Sequence, residues 1–165
     1  HLLIGGYGMG FTLRAALARM GPKGHCTVAE LVPEIVEWAR GPMAEVAAGC
    51  LDDPRVILRM GDVAETMLLA PDPFDAILLD VDNGPEGLTR MINGWLYSPD
   101  GLEAASRALR PGGILAVWSA FEVPAFVELL EQAGFTVDVA SVDAGEEPRE
   151  GRKPLHHVIF FATKA

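Results

Sequence analysis

The residues with the clearest chemical potential are a set of glycines and three acids. Gly6, Gly8 and Gly10 follow the apolar run Leu2-Leu3-Ile4-Gly5, and Thr12 opens a helical pattern directly after them. Glycines between a strand and a helix let backbone approach a ligand closely, and the helix N-terminus adds unpaired N–H groups beside it. Glu30, Asp62 and Asp80 each end an apolar run that reads as a strand. An acid about twenty residues beyond a glycine loop, at the next strand tip, can accept hydrogen bonds from both hydroxyls of a ribose. Asp62 stands at the following tip, within reach of an adenine amino group, and Asp80 falls over the glycine loop, nearest a reacting centre. Each acid alone reads equally well as a helix cap. Together with the glycine loop they point to a nucleoside site, with Gly5, Gly6, Tyr7, Gly8, Gly10, Glu30, Leu31, Gly61, Asp62, Val63 and Asp80 around it.

The spacing narrows the ligand. Phe11 follows Gly10, so the loop is Gly-x-Gly-x-Gly and not the dinucleotide pattern Gly-x-Gly-x-x-Gly; no Lys-Ser/Thr pair follows, which excludes a P-loop. The net charge of −10 disfavours nucleic acid, whose phosphates need clustered Lys and Arg. Metal is not expected: His156 and His157 are adjacent in a strand and point to opposite faces, and His25 has no evident partner. Cys26 and Cys50 form no Cys-x-x-Cys pair and read as buried thiols of a reducing, cytoplasmic protein. No apolar run has transmembrane length. Ser119 has no nucleophile-elbow context.

These residues need an alternating scaffold to hold them. Helices are expected over Thr12–Met20, Pro33–Ala48, Val63–Leu69, Pro99–Leu109 and Val123–Ala133. In the long second helix, Ile35, Val36, Trp38, Ala39, Met43 and Val46 supply the apolar face. An apolar run from Leu2 into the glycines, and others at His25–Ala29, Val56–Met60, Phe74–Leu79, Ile114–Trp118, Phe135–Val142 and Leu155–Thr163, read as seven strands, and 83–98 has no clean period. Unbroken apolar strands alternating with helices call for an α/β, Rossmann-like doubly wound sheet with helices on both faces. It should be mostly parallel, with the last strand antiparallel because only a charged turn precedes it. The 165 residues suit one domain. The chain starts at His1 inside a core strand, so residues before that strand are expected to be missing.

Several motifs carry a family resemblance: Ile4-Gly5-Gly6-Tyr7-Gly8-Met9-Gly10, Glu30, Gly61-Asp62, Asp80 with Gly84-Pro85, and Leu109-Arg110-Pro111-Gly112-Gly113. On these the chain resembles the class I S-adenosylmethionine-dependent methyltransferase fold, and within it the spermidine synthase-like branch. The resemblance implies decarboxylated S-adenosylmethionine or S-adenosylmethionine as donor, a small-molecule amine acceptor, no membrane partner and a homodimer. It implies that Asp80 receives the attacking amine, Asp82 holds a second ammonium, and Trp95 and Tyr97 line the acceptor site; the two aromatics read equally as loop packing, and Glu86 as a solvated carboxylate. The chain departs from the family in three ways. Gly8 stands where spermidine synthases usually carry Asp, Asp80-Val81-Asp82-Asn83-Gly84-Pro85 replaces their Asp-Ser-Ser/Thr-Asp-Pro, and their N-terminal β-domain is not expected within these 165 residues. The missing loop Asp favours methyl transfer, but the acidic pair Asp80 and Asp82 invites a cationic acceptor, so aminopropyl transfer is the first expectation, methyl transfer the second, and a non-catalytic nucleoside-binding or regulatory subunit the third.

Overall fold

The computed structural model describes residues 1–81, 84–85, 91–143 and 156–165, the side chains of 91, 92 and 143 apart. Seven strands form one sheet: β1 (Leu2–Gly5), β2 (Cys26–Glu30), β3 (Val56–Met60), β4 (Phe74–Leu79), β5 (Leu109–Ser119), β6 (Phe135–Asp143) and β7 (His156–Lys164). Their order is β3-β2-β1-β4-β5-β7-β6. The first five are parallel, and β7 runs antiparallel between β5 and β6. The order reverses between β1 and β4, which opens a crevice at the carboxyl ends of those strands.

Helices α1 (Phe11–Arg19), α2 (Pro33–Arg40) and α3 (Ala44–Ala47) lie with one core cluster, built on Ile4, Cys26 and Val28 of the sheet. Helices α4 (Val63–Leu68), α5 (Pro99–Ala108) and α6 (Pro124–Gln132) lie with the other, built on Leu3, Ile77, Leu115 and Phe160. The alternation of side chains along each strand divides the two clusters. Two helices are closed by basic side chains from distant elements. The Arg55 guanidinium donates to Leu17 O (3.2 Å) and Met20 O (2.9 Å) at the end of α1. Lys164 Nζ donates to Ser106 O (2.6 Å) and Leu109 O (2.7 Å) at the end of α5. Each places a cation where orphan carbonyls gather.

Three expectations need correction. The helix expected over Pro33–Ala48 breaks after Arg40, because Pro42 has no N–H to continue the ladder. The first part faces the core with Val36 and Ala39 and the second with Ala47; Trp38 and Val46 are exposed. Strand β5 starts at Leu109 rather than Ile114, with a shift in register against β4 between Phe74 and Ala76 that accommodates the Pro-Gly-Gly segment. Within the stretch expected to be irregular, Met91–Tyr97 is a 3₁₀ helix, and Ser98 caps α5 by accepting from Gly101 N (3.3 Å). Among the described residues no helix is long and apolar enough to cross a membrane.

Candidate functional site

Register brings the predicted acids to one level. Gly5 pairs with Ala29 on one side and Leu79 on the other, and Glu30 pairs with Met60. The ladder runs one step past the strand ends: Gly6 N donates to Ala29 O (2.9 Å), Gly61 N to Glu30 O (2.9 Å) and Asp80 N to Gly5 O (3.1 Å). Four adjacent tips therefore present the glycine loop, Glu30, Gly61-Asp62 and Asp80 to the switch-point crevice.

The glycines are needed for packing as much as for ligand approach. A Cβ on Gly6 would stand 2.6 Å from the Asp80 carbonyl oxygen, at a φ of +85° that disfavours any side chain. The β1 and β4 tips thus touch backbone to backbone. A Cβ on Gly10 would meet the Tyr7 hydroxyl at 2.6 Å. Gly8 is different: a Cβ there meets nothing within 4 Å.

Glu30 is buried, and its carboxylate is held from two sides. Oε2 accepts from Tyr7 N (2.8 Å) in the glycine loop, and Oε1 accepts from Val32 N (2.8 Å) in the turn to α2. Asp62 is the N-cap of α4, its Oδ1 accepting from Ala64 N at 2.8 Å. A carboxylate offers about four lone-pair sites, so both acids keep acceptor capacity toward the crevice. Asp80 is held more loosely. Its carboxylate takes one hydrogen bond among the described residues, a 3.5 Å contact from Thr12 Oγ1. The residue is exposed and lines the cleft, yet part of its surroundings is protein. That partial desolvation raises its pKa above the ordinary carboxylate value, and the Thr12 bond offsets part of the rise.

One cleft of about 250 Å³ is lined by Gly6, Gly8, Glu30, Leu31, Gly61, Asp62, Val63 and Asp80 from the sequence-derived set. Sequence reasoning missed Ala29, Val32, Ile35, Val81 and Asn93, which line it as well. Ile35 carried a signal, its place on the apolar face of α2; Asn93 sat in the aperiodic stretch and carried none. Gly5, Tyr7 and Gly10 do not line it. Trp95 packs on the α4–α6 core, and Tyr97 is buried there, edge-on to Phe126 with ring centroids 5.8 Å apart. Asp82 and Glu86 lie outside the described residues. A larger, shallow groove of about 790 Å³ between α1 and the 3₁₀ turn Cys50–Asp52 contains none of the strand-tip acids. The apolar walls and backbone-oriented acids of the smaller cleft make it the better candidate for a nucleoside.

No family model matches the chain. It is 32% identical over 145 residues to the polyamine aminopropyltransferase of Mycobacterium tuberculosis (strain ATCC 25618 / H37Rv), covering 82% of this chain and 27% of that protein. It is 32% identical over 116 residues to the spermine synthase of Arabidopsis thaliana, covering 70% of this chain and 30% of that one. The chain thus spans less than a third of the length of these relatives. Spermidine synthase from Thermotoga maritima superposes on 99% of this chain, and 52% of its own, with a TM-score of 0.74 and 21% identity. By sequence the chain resembles the polyamine aminopropyltransferases and spermine synthase, and its fold is that of the class I S-adenosylmethionine-dependent methyltransferases, shared with spermidine synthase.

Proposed function

We propose that the chain binds an S-adenosyl sulfonium and supports transfer of its aminopropyl group to a polyamine or other small amine. The observation that carries the reading is the single cleft shared by the glycine loop, Glu30, Asp62 and Asp80 at the switch point. Glu30 accepts from the ribose hydroxyls and Asp62 from the adenine amino group, while Leu31, Ile35 and Val63 flank the base. The acceptor nitrogen attacks the donor carbon attached to the sulfonium. The C–S bond breaks, its electron pair stays on sulfur to give a neutral thioether, and the proton shed by the new ammonium passes to Asp80 and then to water. The donor carries its own leaving group, so the protein's part is alignment and exclusion of water. A carboxylate raised above its ordinary pKa is a better proton acceptor for this step than an unshifted one. Asp82 is the candidate for a second ammonium of the acceptor.

Gly8 favours a second reading, methyl transfer. It lines the cleft and offers no carboxylate to the lone amine of a decarboxylated donor. Incubation with each donor and a diamine distinguishes the two. Release of 5′-methylthioadenosine from decarboxylated S-adenosylmethionine supports aminopropyl transfer; S-adenosylhomocysteine from the carboxylated donor supports methyl transfer; binding of neither overturns both. Gly8→Asp sharpens the test. The site has room for a side chain, and Asp tolerates its φ of +53° better than most residues, so the variant should shift preference toward the decarboxylated donor.

A further inference from the structure

Tyr7 interrupts the glycine loop with a large side chain, yet it does not line the cleft. Its ring turns the other way, is 4% exposed, and packs with the α1–α3 core. There it lines a separate cavity of about 350 Å³ with Ala39, Cys50 and Leu51. Its hydroxyl lies 3.3 Å from Cys50 Sγ, directly under Gly10. Its amide, on the cleft side, donates to Glu30 Oε2 at 2.8 Å. One residue therefore ties the glycine loop to the 3₁₀ turn Cys50–Asp52 with its side chain and aims the Glu30 carboxylate with its backbone.

We propose that Tyr7 is a positioning residue for the donor site, anchored through Cys50 and acting on the donor only through Glu30. This rests on the reading of the cleft as a ribose-binding site. Burial pushes the Tyr7 hydroxyl above its ordinary pKa, so it stays protonated and remains available as a donor to sulfur across the neutral range. Without that anchor, the loop amide holding one oxygen of Glu30 is free to shift, and the carboxylate loses the orientation that two separate loops impose on it. The cost falls on ligand groups that Glu30 contacts and spares the rest of the nucleoside.

Calorimetric titration of 5′-methylthioadenosine and its 2′,3′-dideoxy counterpart into the chain and three variants tests this. Tyr7→Phe and Cys50→Ala should each weaken binding of the ribose-bearing probe by about two- to tenfold, the range of a single net hydrogen bond. Cys50→Ser, which can still bond the phenol, should restore it. The dideoxy probe should bind the unaltered chain and all three variants equally. Loss of equal size for both probes, or no loss for either, overturns the positioning role while leaving the ribose site standing. Failure of the unaltered chain to bind the ribose-bearing probe overturns the ribose site, and the positioning role with it. Should Tyr7→Phe not fold, the two Cys50 variants carry the same comparison.

Discussion

The two halves of the cleft are built differently. On the β1-β2-β3 side each acid is fixed by backbone: Glu30 by the amides of Tyr7 and Val32, Asp62 by that of Ala64. On the β4 side Asp80 has only the long contact from Thr12 among the described residues, and its carboxylate faces solvent and the cleft. Backbone N–H groups cannot rotate away, so the first half is preorganised for a ligand whose shape does not change during reaction. The second half leaves its carboxylate under-bonded, with a raised pKa, as the proposed proton uptake would require. On the proposed reading, a nucleoside that is only held and an amine that reacts would ask for these two kinds of site.

The largest effect should come from the loosely held half. Asp80→Asn keeps size and hydrogen bonding but cannot take a proton, and should lower turnover by about 10²- to 10⁴-fold, the usual worth of a general base. Donor affinity measured by calorimetry should change little. In the unaltered chain the rate should fall at acid pH as Asp80 protonates, with an inflection above the ordinary carboxylate value, and that limb should vanish in the variant. A variant that loses donor binding and turnover together would put Asp80 in the preorganised half and erase the contrast.

Next in size is Glu30→Ala. It strips partners from two amides at once, each worth about 1–3 kcal/mol when left buried and unpaired. Stability and donor affinity should fall together, by thermal midpoint and by titration. A fall in stability with unchanged affinity would mean that Glu30 serves the fold alone.

The same contrast explains what the sequence disclosed. The preorganised half was legible because its parts are local. A strand ending in an acid, followed by the start of a helix, is a short-range pattern, and parallel register then brings the tips together. The roles of Tyr7 and Gly10 were not legible in that way. Gly10 is small because the Tyr7 ring turns back beneath it, and the ring's partner Cys50 is forty-three residues away along the chain. The break in the helix after Arg40 was legible in Gly41-Pro42 and should have ended it there. Trp38 misled for another reason: it stands to one side of the arc of Ile35, Val36 and Ala39 that packs on the core, so it stays half exposed.

Asp62→Ala is a smaller test. Loss of an N-cap costs about 1 kcal/mol, typically 0.5–2. If Asp62 also meets the base, affinity for an adenine nucleoside should fall more than affinity for the inosine counterpart, which has no exocyclic amine. Equal losses would reduce Asp62 to a cap and leave Glu30 as the main fixed ligand of that half.

The smallest effect lies away from the cleft and shows the fixed half's logic applied to structure alone. Asp53 accepts from the backbone N of Arg55 (2.9 Å) and from its guanidinium at Nε (2.9 Å) and Nη2 (2.8 Å). These bonds hold its pKa down at about 2, against an ordinary value of 3.8. The same guanidinium closes α1, the helix that follows the glycine loop. A carboxylate with a lowered folded pKa stabilises the fold fully above its unfolded value, and that contribution is lost as pH falls from 3.8 toward 2. Chemical denaturation of the unaltered chain and Asp53→Asn should therefore show a gap in midpoint at pH 6 that narrows by pH 2.5. Asp80 has the opposite sign, since its raised pKa favours the folded state more as pH falls, but it is common to both chains and cancels from the gap. A gap of constant width would mean that the Asp53 charge adds nothing to Arg55's hold on α1, and that the carbonyls of Leu17 and Met20 suffice to keep the guanidinium in place.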